Sequence, residues 1–371
     1  MVTGIGLVSA LGGDANTLWQ RLLKGEVAIA LRHPFPAMPP LPLAMVGKRP
    51  ASVDHLLNLA VQAALSDAGR SGPQPEMGIV VGSSRAYQGA LEQLALRHRA
   101  GGELRAWCQA LPQQVSLQVA SHLRANGPVL APMAACATGL WAVAQGAQLI
   151  QSGQCDRVLV GAVEAPITPL ALAGFERMGA LAKTGCYPFD VAREGLVPGE
   201  GAAALVLESA EIAAHKPTYG HILGIGLTND AYHVSSPSPS YDGAIAAIRH
   251  SLRRSRCSPS AVDYIHAHGT ATRLNDAMEA SVFNQLFPHR PAVSSTKGAT
   301  GHTLGASGAI GLGICLLALR HQQLPPNAGL TQADVDLNLV RQTRSATVTT
   351  ALCCSFGFGG QNAAVLVGHP R

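Results

Sequence analysis

Four short motifs occur twice along the 371-residue chain, in the same order each time. The pairs are 4–7 and 224–227 (both GIGL), 79–82 (IVVG) and 264–269 (YIHAHG), 137–139 and 299–301 (both ATG), and 199–207 (GEGAAALVL) and 359–367 (GGQNAAVLV). Any single match could arise by chance, whereas four in a fixed order indicate an internal duplication. The sequence therefore predicts two related halves, 1–213 and 214–371, that share one folding plan.

Each half alternates short runs of β-branched residues with longer helical patterns. Residues 157–160 (RVLV) are typical of a strand, and apolar residues recur at helical spacing through 56–68. This alternation predicts an α/β fold with layered helices and largely parallel central strands. The second and third motifs are much further apart in the first half, so residues 83–127 are predicted to be an insertion that caps a site or faces a partner subunit.

A cysteine lies where the first half predicts the start of a long helix. The segment 132–139 reads PMAACATG, and apolar residues recur at helical spacing from Leu140 to Ile150. Cys136 would then lie at or just before the helix N-terminus, where unpaired N–H groups and the helix dipole favour the nucleophilic thiolate. A buried structural thiol is the alternative for a cysteine among alanines.

Two histidines lie in glycine-rich turns of the second half. His268 belongs to 266–272 (HAHGTAT), and His302 follows Lys297 in 294–305 (SSTKGATGHTLG). A cysteine and a histidine that meet in the fold form the usual arrangement of an activated thiol nucleophile. Because equivalent strand-to-helix corners of the two halves would face each other, we expect Cys136 to lie beside the 298–302 turn. Histidines that only cap loops are the alternative.

Taken together, these motifs resemble those of the elongating β-ketoacyl-acyl-carrier-protein synthases, which are members of the thiolase-like family. The resemblance covers essentially the whole chain and rests on 135–139 (ACATG), 188–195 (PFDVAREG) with 199–202 (GEGA), 267–272 (AHGTAT) with Asn275, Asp276 and Glu279, 296–305, and 355–360 (SFGFGG). It implies a thiolase-like α/β fold whose two pseudo-duplicated halves form a layered α-β-α-β-α core. It also implies an acyltransferase that extends a fatty acid or polyketide chain by two carbons, through decarboxylative Claisen condensation with malonyl-acyl-carrier protein.

The resemblance implies a role for each matching residue. Cys136 takes the acyl chain as a thioester, and the backbone N–H groups of Cys136 and Phe358 form an oxyanion hole. His268 and His302 hold the thioester oxygen of the malonyl substrate while CO₂ leaves. Lys297, with Glu279 as its partner, orients the neighbouring histidine. The substrate-binding and supporting positions are Thr270 and Thr272 for the phosphopantetheine arm, Phe356 and Phe358 for the acyl pocket, and Glu279 and Gly359 as supports.

Two departures from the family pattern concern a possible metal site. Gly311 stands where many relatives have a glutamate, and His266 stands where asparagine or glutamate is usual. In relatives those regions help to build a buried monovalent-cation site, so the two substitutions argue against such a site here. The resemblance implies no other metal and no cofactor, apart from the phosphopantetheine of the acyl-carrier protein that carries the substrates.

Two other functions fit parts of the pattern. A non-catalytic partner subunit, like the chain-length factors that pair with ketosynthases, would share the fold, but such subunits typically lose the cysteine. A thiolase-type acyl transfer would need a second catalytic cysteine near the C-terminus, for which Cys353 and Cys354 are the candidates. Both precede the glycine turn in a strand-like run, which ranks this alternative last.

Composition and charge limit the expected location and partners. Apolar residues make up 47% of the chain and charged residues 13%, which is typical of a closely packed globular protein. The eight cysteines show no paired spacing, which predicts reduced thiols and a cytoplasmic location, and no signal-peptide pattern is present. The apolar stretches 128–150 and 301–319 are predicted to be buried helices rather than membrane spans.

The expected protein partner is acyl-carrier protein. A homodimer is implied by the resemblance, with a heterodimer of two related subunits as the alternative. Basic residues cluster at 249–256, which predicts a solvated helix face or a docking patch for an acidic partner. No nucleic-acid motif accompanies the net charge of +5, so nucleic acid is not an expected partner.

Overall fold

The computed structural model describes residues 1–101 and 107–369. Among these, the first half contributes strands and helices at the following bounds: β1 Val2–Ser9, α1 Ala15–Leu23, β2 Ala30–Arg32, β3 Leu41–Leu43, α2 Val53–Asp67, β4 Gly78–Gly82, α3 Gln88–Arg99, α4 Gln114–Leu123, β5 Val129–Leu130, α5 Thr138–Gln151, β6 Arg157–Glu164, α6 Pro169–Arg177, β7 Gly201–Glu208 and α7 Ala210–Ala213. The predicted insertion thus contains α3 and α4, and its residues 102–106 lie outside the described residues.

The second half follows the same plan with a shorter middle section. Its bounds are β8 His221–Asn229, α8 Asp242–Arg254, β9 Tyr264–His266, α9 Arg273–Leu286, β10 Ala292–Ser294, α10 Lys297–Thr300, α11 Ser307–His321, β11 Gln323–Leu324, β12 Arg344–Ser345, β13 Thr350–Gly357 and β14 Gln361–Gly368. The short strands β2 with β3, and β11 with β12, pair in two small ladders away from the main sheets.

Each half builds one five-stranded sheet, and the two sheets have matching strand orders. The first sheet runs β1-β7-β6-β4-β5 and the second runs β8-β14-β13-β9-β10. In both, the first three strands of this order pair antiparallel and the last three pair parallel. The matching order and pairing support the internal duplication predicted from the repeated motifs.

The expectation of largely parallel sheets was wrong for half of the strand pairs in the two main sheets. The reason is clearest in the second sheet, where β13 and β14 are joined only by a one-turn 3₁₀ helix at Phe358–Gly360. A parallel neighbour would need a crossover of a dozen or more residues, so such a short connection forces an antiparallel pair. This tight connection brings Phe358 to the edge of the candidate site described below.

The two sheets pack on either side of the central helices α5 and α11. Strand residues are buried on both faces: in β6, Val158 and Val160 join the core between the sheets, whereas Leu159 and Val163 join a second core on the outer face. Helices α2 and α4 cover the outer face of the first sheet, and α8 and α9 cover that of the second. The predicted α-β-α-β-α layering is therefore confirmed.

Three of the four repeated motifs occupy equivalent elements, namely β1 and β8, β4 and β9, and β7 and β14. The third pair does not. Residues 137–139 lead directly into α5, whereas 299–301 span the end of α10 and the long helix α11 begins only at Ser307. The additional residues before α11 form the turn that carries His302.

The segment Leu304–His321 is long and apolar enough, by length and composition, to cross a membrane. However, 89% of this 18-residue segment is buried inside the protein, where α11 lies between the two sheets. Its environment is that of a core helix, as the sequence predicted for 301–319. Helix α5 occupies the equivalent central position in the first half. The prediction of a buried helix over 128–150 holds only from Thr138, because Val129–Leu130 form β5, and Leu130 and Met133 are exposed.

Candidate active site

Cys136 lies in a tight turn between β5 and α5. The Thr138 side chain holds this turn, because its Oγ1 accepts the N–H of Ala134 at 2.9 Å and donates to the carbonyl of Ala135 at 2.6 Å. Ala135 has a φ of +46°, a left-handed conformation that costs a residue with a Cβ about 1–2 kcal/mol. Helix α5 begins two residues after Cys136. The cysteine is therefore at the N-terminal end of a buried helix, as predicted.

The end of β13 packs against this turn from the second half. Ser355 Oγ donates to the Cys136 carbonyl at 2.8 Å. A Cβ on Gly357 would lie 3.0 Å from the Cys136 nitrogen and 2.9 Å from the Ala134 carbonyl oxygen, so the close approach requires glycine. The backbone N–H of the next residue, Phe358, lies close enough to the Cys136 thiol to favour its charged form, which lowers the pKa of the thiol against the effect of burial. The two halves of the chain thus meet at the cysteine sulfur.

Burial controls the protonation of Cys136. Loss of solvation raises the pKa of this thiol to about 11, and the positive charge of Lys297 only partly opposes that rise. This direction opposes the expectation that the helix N-terminus favours a thiolate, because burial disfavours the charged form of a thiol. Cys136 is a thiol until a substrate arrives.

His302 is held in one neutral tautomer. The backbone N–H of Leu304 donates to His302 Nδ1 at 3.2 Å, and Ser307 Oγ lies 3.0 Å from the same nitrogen. A ring nitrogen that accepts a backbone N–H carries no proton, so the ring proton is on Nε2. Burial, followed by the charge of Lys297, holds the pKa of His302 well below its usual value. The imidazole can therefore donate one hydrogen bond from Nε2.

His268 reaches the same state through a different partner. Lys297 Nζ donates to the His268 carbonyl and lies 3.4 Å from His268 Nδ1. An ammonium group can only donate, so Nδ1 is the acceptor and Nε2 carries the proton. Burial, followed by the charge of Lys297, also holds the pKa of His268 well below its usual value. Both histidines are thus neutral Nε2–H donors.

Glu279 fixes the loop that carries His268. Its carboxylate accepts the backbone N–H groups of His268 and Gly269, each at 2.6 Å, and the side-chain amide of Asn275 at 2.8 Å. Its predicted pairing with Lys297 is electrostatic: burial lowers the pKa of Lys297, and the charge of Glu279 opposes that effect. Glu279 therefore acts on the site mainly by holding the 268–269 backbone.

The three predicted reactive side chains converge. The Cys136 sulfur and a ring nitrogen of each of His268 and His302 all lie within 4.8 Å of one another. The imidazole rings are edge to face, with centroids 5.3 Å apart and an interplanar angle of 80°. Thiol and imidazole groups are also metal ligands, but the Lys297 ammonium group, 3.4 Å from His268 Nδ1, disfavours a second cation beside it. The cluster is better suited to acyl chemistry.

A cavity of about 540 Å³ opens beside these three side chains. The four predicted substrate-binding residues, Thr270, Thr272, Phe356 and Phe358, all line it. The two threonine hydroxyls are 2.8 Å apart, and the Phe356 ring packs edge to face against His268 with centroids 6.2 Å apart. The cavity can therefore place a thioester carbonyl between the cysteine and the two imidazoles.

Gly359, predicted as a supporting residue, does not line the cavity. Its N–H donates to the Val234 carbonyl at 2.9 Å, and its own carbonyl accepts from the Asn229 side chain at 3.1 Å. Its φ of +76° is the left-handed conformation that glycine adopts most readily. Gly359 thus supports the turn that positions Phe358.

His266 and Gly311, the two departures from the family pattern, are neighbours. A Cβ on Gly311 would lie 2.7 Å from His266 Nδ1, so the imidazole occupies the space that a side chain at 311 would take. His266 Nε2 lies 3.1 Å from Thr296 Oγ1, and burial lowers the pKa of His266 to about 3. A neutral imidazole therefore fills this part of the core.

Cys353 and Cys354, the candidates for a second catalytic cysteine, are not at the site. Both lie within β13 and are fully or almost fully buried. Cys353 belongs to the core between the sheets and Cys354 to the core on the outer face, and neither lines the cavity. The geometry therefore gives no support to a thiolase-type reaction with two cysteines.

Several groups that shape the site were not identified from the sequence. They are the N–H of Leu304 and the hydroxyl of Ser307 on His302, the hydroxyl of Ser355 on the Cys136 carbonyl, and the side chains of Glu164 and Arg85. Their roles depend on contacts between distant segments. Only Ser307, five residues after His302 within the predicted helical stretch 301–319, had a local signal.

Two family models match most of this chain, and a curated relative aligns with 99% of it. Residues 48–213 match the family model described as "Beta-ketoacyl synthase, N-terminal domain", and residues 219–331 match "Beta-ketoacyl synthase, C-terminal domain". A similar protein is the 3-oxoacyl-[acyl-carrier-protein] synthase 2 of Coxiella burnetii, with 32% identity over 99% of this chain and 97% of the relative.

The fold of this chain is also similar to that of solved ketosynthase structures. The chain is similar to the ishigamide ketosynthase/chain length factor, with a TM-score of 0.92, 27% identity and coverage of 100% of this chain and 98% of that one. It is also similar to a type II PKS acyl-carrier protein in complex with its ketosynthase bound to the hexaketide (AntDE:AntF), with a TM-score of 0.93, 26% identity and the same coverage.

Proposed function

We propose that this chain, which belongs to the β-ketoacyl synthase family, is a 3-oxoacyl-[acyl-carrier-protein] synthase of the elongating type. It is then an acyltransferase that lengthens a fatty acid or polyketide chain by two carbons in each condensation. The observation that carries the proposal is the convergence of Cys136, His268 and His302 within 4.8 Å beside a cavity of about 540 Å³.

In the first half-reaction, the thiol of Cys136 attacks the thioester carbonyl of an acyl-carrier protein. A thioester forms on Cys136, the bond to the phosphopantetheine sulfur breaks, and the thiol proton passes to the leaving sulfur. The backbone N–H groups of Cys136 and Phe358 stabilise the tetrahedral oxyanion, and donors of this kind contribute about 3 kcal/mol each. Because burial raises the pKa of the thiol, loss of its proton accompanies attack rather than preceding it.

In the second half-reaction, malonyl-acyl-carrier protein loses CO₂ and the electrons of the broken C–C bond form an enolate. The enolate oxygen accepts the Nε2–H groups of His268 and His302, which stabilise the charge in a site away from bulk water. The enolate carbon attacks the acyl carbonyl on Cys136 and the C–S bond breaks. The cysteine sulfur then takes up a proton, and a 3-oxoacyl chain leaves on the carrier protein.

Lys297 and Glu279 position this machinery. Lys297 donates to the carbonyl of His268 and faces its Nδ1, which holds the ring proton on Nε2 where the enolate needs it. Glu279 holds the backbone of His268 and Gly269 from the other side. Neither residue needs to exchange a proton with substrate during the reaction.

No resident metal or cofactor takes part in these steps. The substrates arrive on the phosphopantetheine arm of acyl-carrier protein, for which Thr270 and Thr272 offer hydroxyl groups inside the cavity. Phe356 and Phe358 provide apolar surface next to the reacting carbonyl, and Phe358 gates the acyl pocket.

The protein works with acyl-carrier protein and assembles as a dimer in the cytoplasm. Strand β5 ends the first sheet with one neighbour, and nearby Leu130 and Met133 are 37% and 56% exposed although Met133 also lines the cavity. These features favour a second subunit at this edge. A homodimer is the simpler assembly, and a heterodimer is the alternative suggested by the ishigamide ketosynthase/chain length factor. Cys136, Cys353 and Cys354 are free thiols, as a reducing compartment would allow.

A non-catalytic role like that of a chain-length factor is the second candidate. It would explain the same fold and the exposed apolar edge. The main proposal is preferred because the cysteine, both neutral histidines and the lysine are present and in contact, an arrangement that a subunit without chemistry would not need.

Condensation can be tested directly. The protein is mixed with octanoyl-acyl-carrier protein and malonyl-acyl-carrier protein, and the carrier-bound products are analysed by mass spectrometry. We expect a 3-oxodecanoyl chain and loss of one CO₂ per turnover, with none in a Cys136→Ala control. Absence of product from any chain length, with the protein folded, would favour the partner-subunit function.

A further inference from the structure

Arg85 is a charged residue in the cavity that the reaction does not use. It comes from the predicted insertion and lines the same cavity as Cys136, among mainly apolar neighbours such as Met133, Phe175 and Leu196. Its charge is close enough to lower the pKa of the Cys136 thiol slightly against the effect of burial. A saturated acyl chain has no group that can accept a hydrogen bond from this guanidinium, so the position of Arg85 near the nucleophile calls for an explanation.

The loop around Glu164 holds Arg85 in this place. The buried Glu164 carboxylate accepts the Ser83 hydroxyl at 2.9 Å, the backbone N–H of Ser84, and the backbone N–H of Arg85 at 3.2 Å. Ser83 Oγ also accepts the N–H of Ala86 at 2.6 Å, and Ala86 has a φ of +46°. This fixed turn directs the Arg85 side chain into the cavity.

Among the residues that the structure describes, the Arg85 guanidinium has no anionic partner. It lies over the ring of Phe175, 5.1 Å from the centroid, and Nη1 donates to Gln88 Oε1 at 3.3 Å. Within residues 1–101 and 107–369, no carboxylate forms an ion pair within 4 Å of a side-chain nitrogen of Arg85. The acidic residues that line the cavity are already engaged: Glu194 by the 183–184 backbone, and Asp230 by Asn362.

An acyl chain that fills the cavity changes the solvation of the Arg85 guanidinium. An alkyl chain would displace water from the guanidinium and leave its charge without a partner, which is costly. A chain with an oxygen acceptor would satisfy the free N–H groups, and a carboxylate matches the planar fork of arginine best, with two parallel hydrogen bonds.

We propose that Arg85 selects acyl chains that carry an oxygen acceptor beyond the thioester carbonyl, a carboxylate more strongly than a ketone. This inference rests on the proposed function, since it concerns the acyl group delivered to Cys136. It makes Arg85 a specificity-determining residue of the acyl cavity.

The test compares three chains of equal length on acyl-carrier protein: octanoyl, 7-oxooctanoyl and 7-carboxyheptanoyl. The rate of acyl transfer to Cys136 is measured by intact mass. For the wild type we expect the carboxylated chain to react about 10- to 100-fold faster than octanoyl, the range expected for a hydrogen bond to a charged group, with the ketone between them. In Arg85→Leu the octanoyl rate should rise, the carboxylate rate should fall, and the order should reverse.

Two further variants make the result specific. Arg85→Lys keeps the charge without the fork and should retain part of the preference for carboxylate. Arg273→Leu removes an exposed cation that also lines the cavity, and the ratio of rates should not change. An unchanged midpoint of urea denaturation checks that each variant stays folded.

The outcomes separate this inference from the proposed function. Equal ratios of rates in the wild type and Arg85→Leu, with acylation intact, would overturn the role of Arg85 alone. Acylation of Cys136 by none of the three chains, in any of these proteins, would overturn the proposed function and the inference together.

Discussion

The contact between His266 and Gly311 gives a sharp test of packing at the core of the second half. Gly311 lies inside α11, where alanine would normally stabilise a helix by about 1 kcal/mol relative to glycine. Here a Cβ would lie 2.7 Å from His266 Nδ1, 2.8 Å from its Cε1 and 3.1 Å from Cys353 Sγ. Overpacking of this kind costs about 1–3 kcal/mol, so Gly311→Ala should lower the free energy of unfolding by up to about 2 kcal/mol net.

Removing the imidazole should reverse the sign of that effect. In a His266→Ala background the two closest atoms are absent, and Gly311→Ala should be neutral or stabilising by up to about 1 kcal/mol. The two substitutions are therefore coupled by about 1–3 kcal/mol in a double-mutant cycle. Gly174→Ala is the control, because it lies in α6 and a Cβ there meets nothing within 4 Å. It should stabilise both backgrounds equally.

Urea denaturation at one pH measures these free energies of unfolding. It is applied to the wild type, both single variants, the double variant and the control. An equal cost of Gly311→Ala in the presence and absence of His266 would show that the imidazole does not fill the space beside α11. A stabilising effect of Gly311→Ala in the wild type would refute the reasoning in the same way.

Three further predictions concern the site itself. His302→Ala should still accept an acyl chain on Cys136 but lose condensation by more than 100-fold, on the order of one lost oxyanion donor or more, and retained condensation would remove His302 from the mechanism. Gly357→Ala should slow acylation of Cys136, because its Cβ would press on the Cys136 nitrogen at 3.0 Å; an unchanged rate of acyl transfer would refute this. Burial raises the pKa of Glu164 to about 7, above its usual value of 4.5, so the folded state keeps a proton that the unfolded state has lost between these values. Wild-type stability relative to Glu164→Gln should therefore fall by about 3 kcal/mol from pH 5 to pH 8 in urea titrations, and a difference independent of pH would contradict the assignment.

The repeated motifs predicted the central feature of the site because duplication has a geometric consequence. Once 137–139 and 299–301 were recognised as related corners, Cys136 and His302 were expected to be neighbours, and their reactive atoms lie within 4.8 Å. The two corners are not fully equivalent, and the reason for the difference is visible only in the fold. The second half adds residues between α10 and α11, and this longer turn gives Leu304 the φ of +40° that aims its N–H at His302.

Protonation and specificity could not be derived from sequence neighbours. The exposed fraction of Cys136, 8%, cannot be deduced from its alanine neighbours in the sequence. The prediction therefore gave the helix N-terminus more weight than the burial that raises the pKa of the thiol. Arg85 was placed in an insertion, but its entry into the cavity depends on the turn held by Glu164, about 80 residues later in the chain. Both results follow from long-range contacts, which a local pattern does not contain.

The role of Cys136 is tested most directly by the intact mass of the protein after mixing with a medium-chain acyl-carrier protein, beside a Cys136→Ala control. We expect a gain of one acyl group in the wild type and none in the control, because Cys136 lines the cavity beside the two neutral histidines. An equal gain in both proteins would place the acceptor elsewhere. No gain in either, across several chain lengths and with the protein folded, would contradict the assignment of Cys136 as the nucleophile of a condensing enzyme.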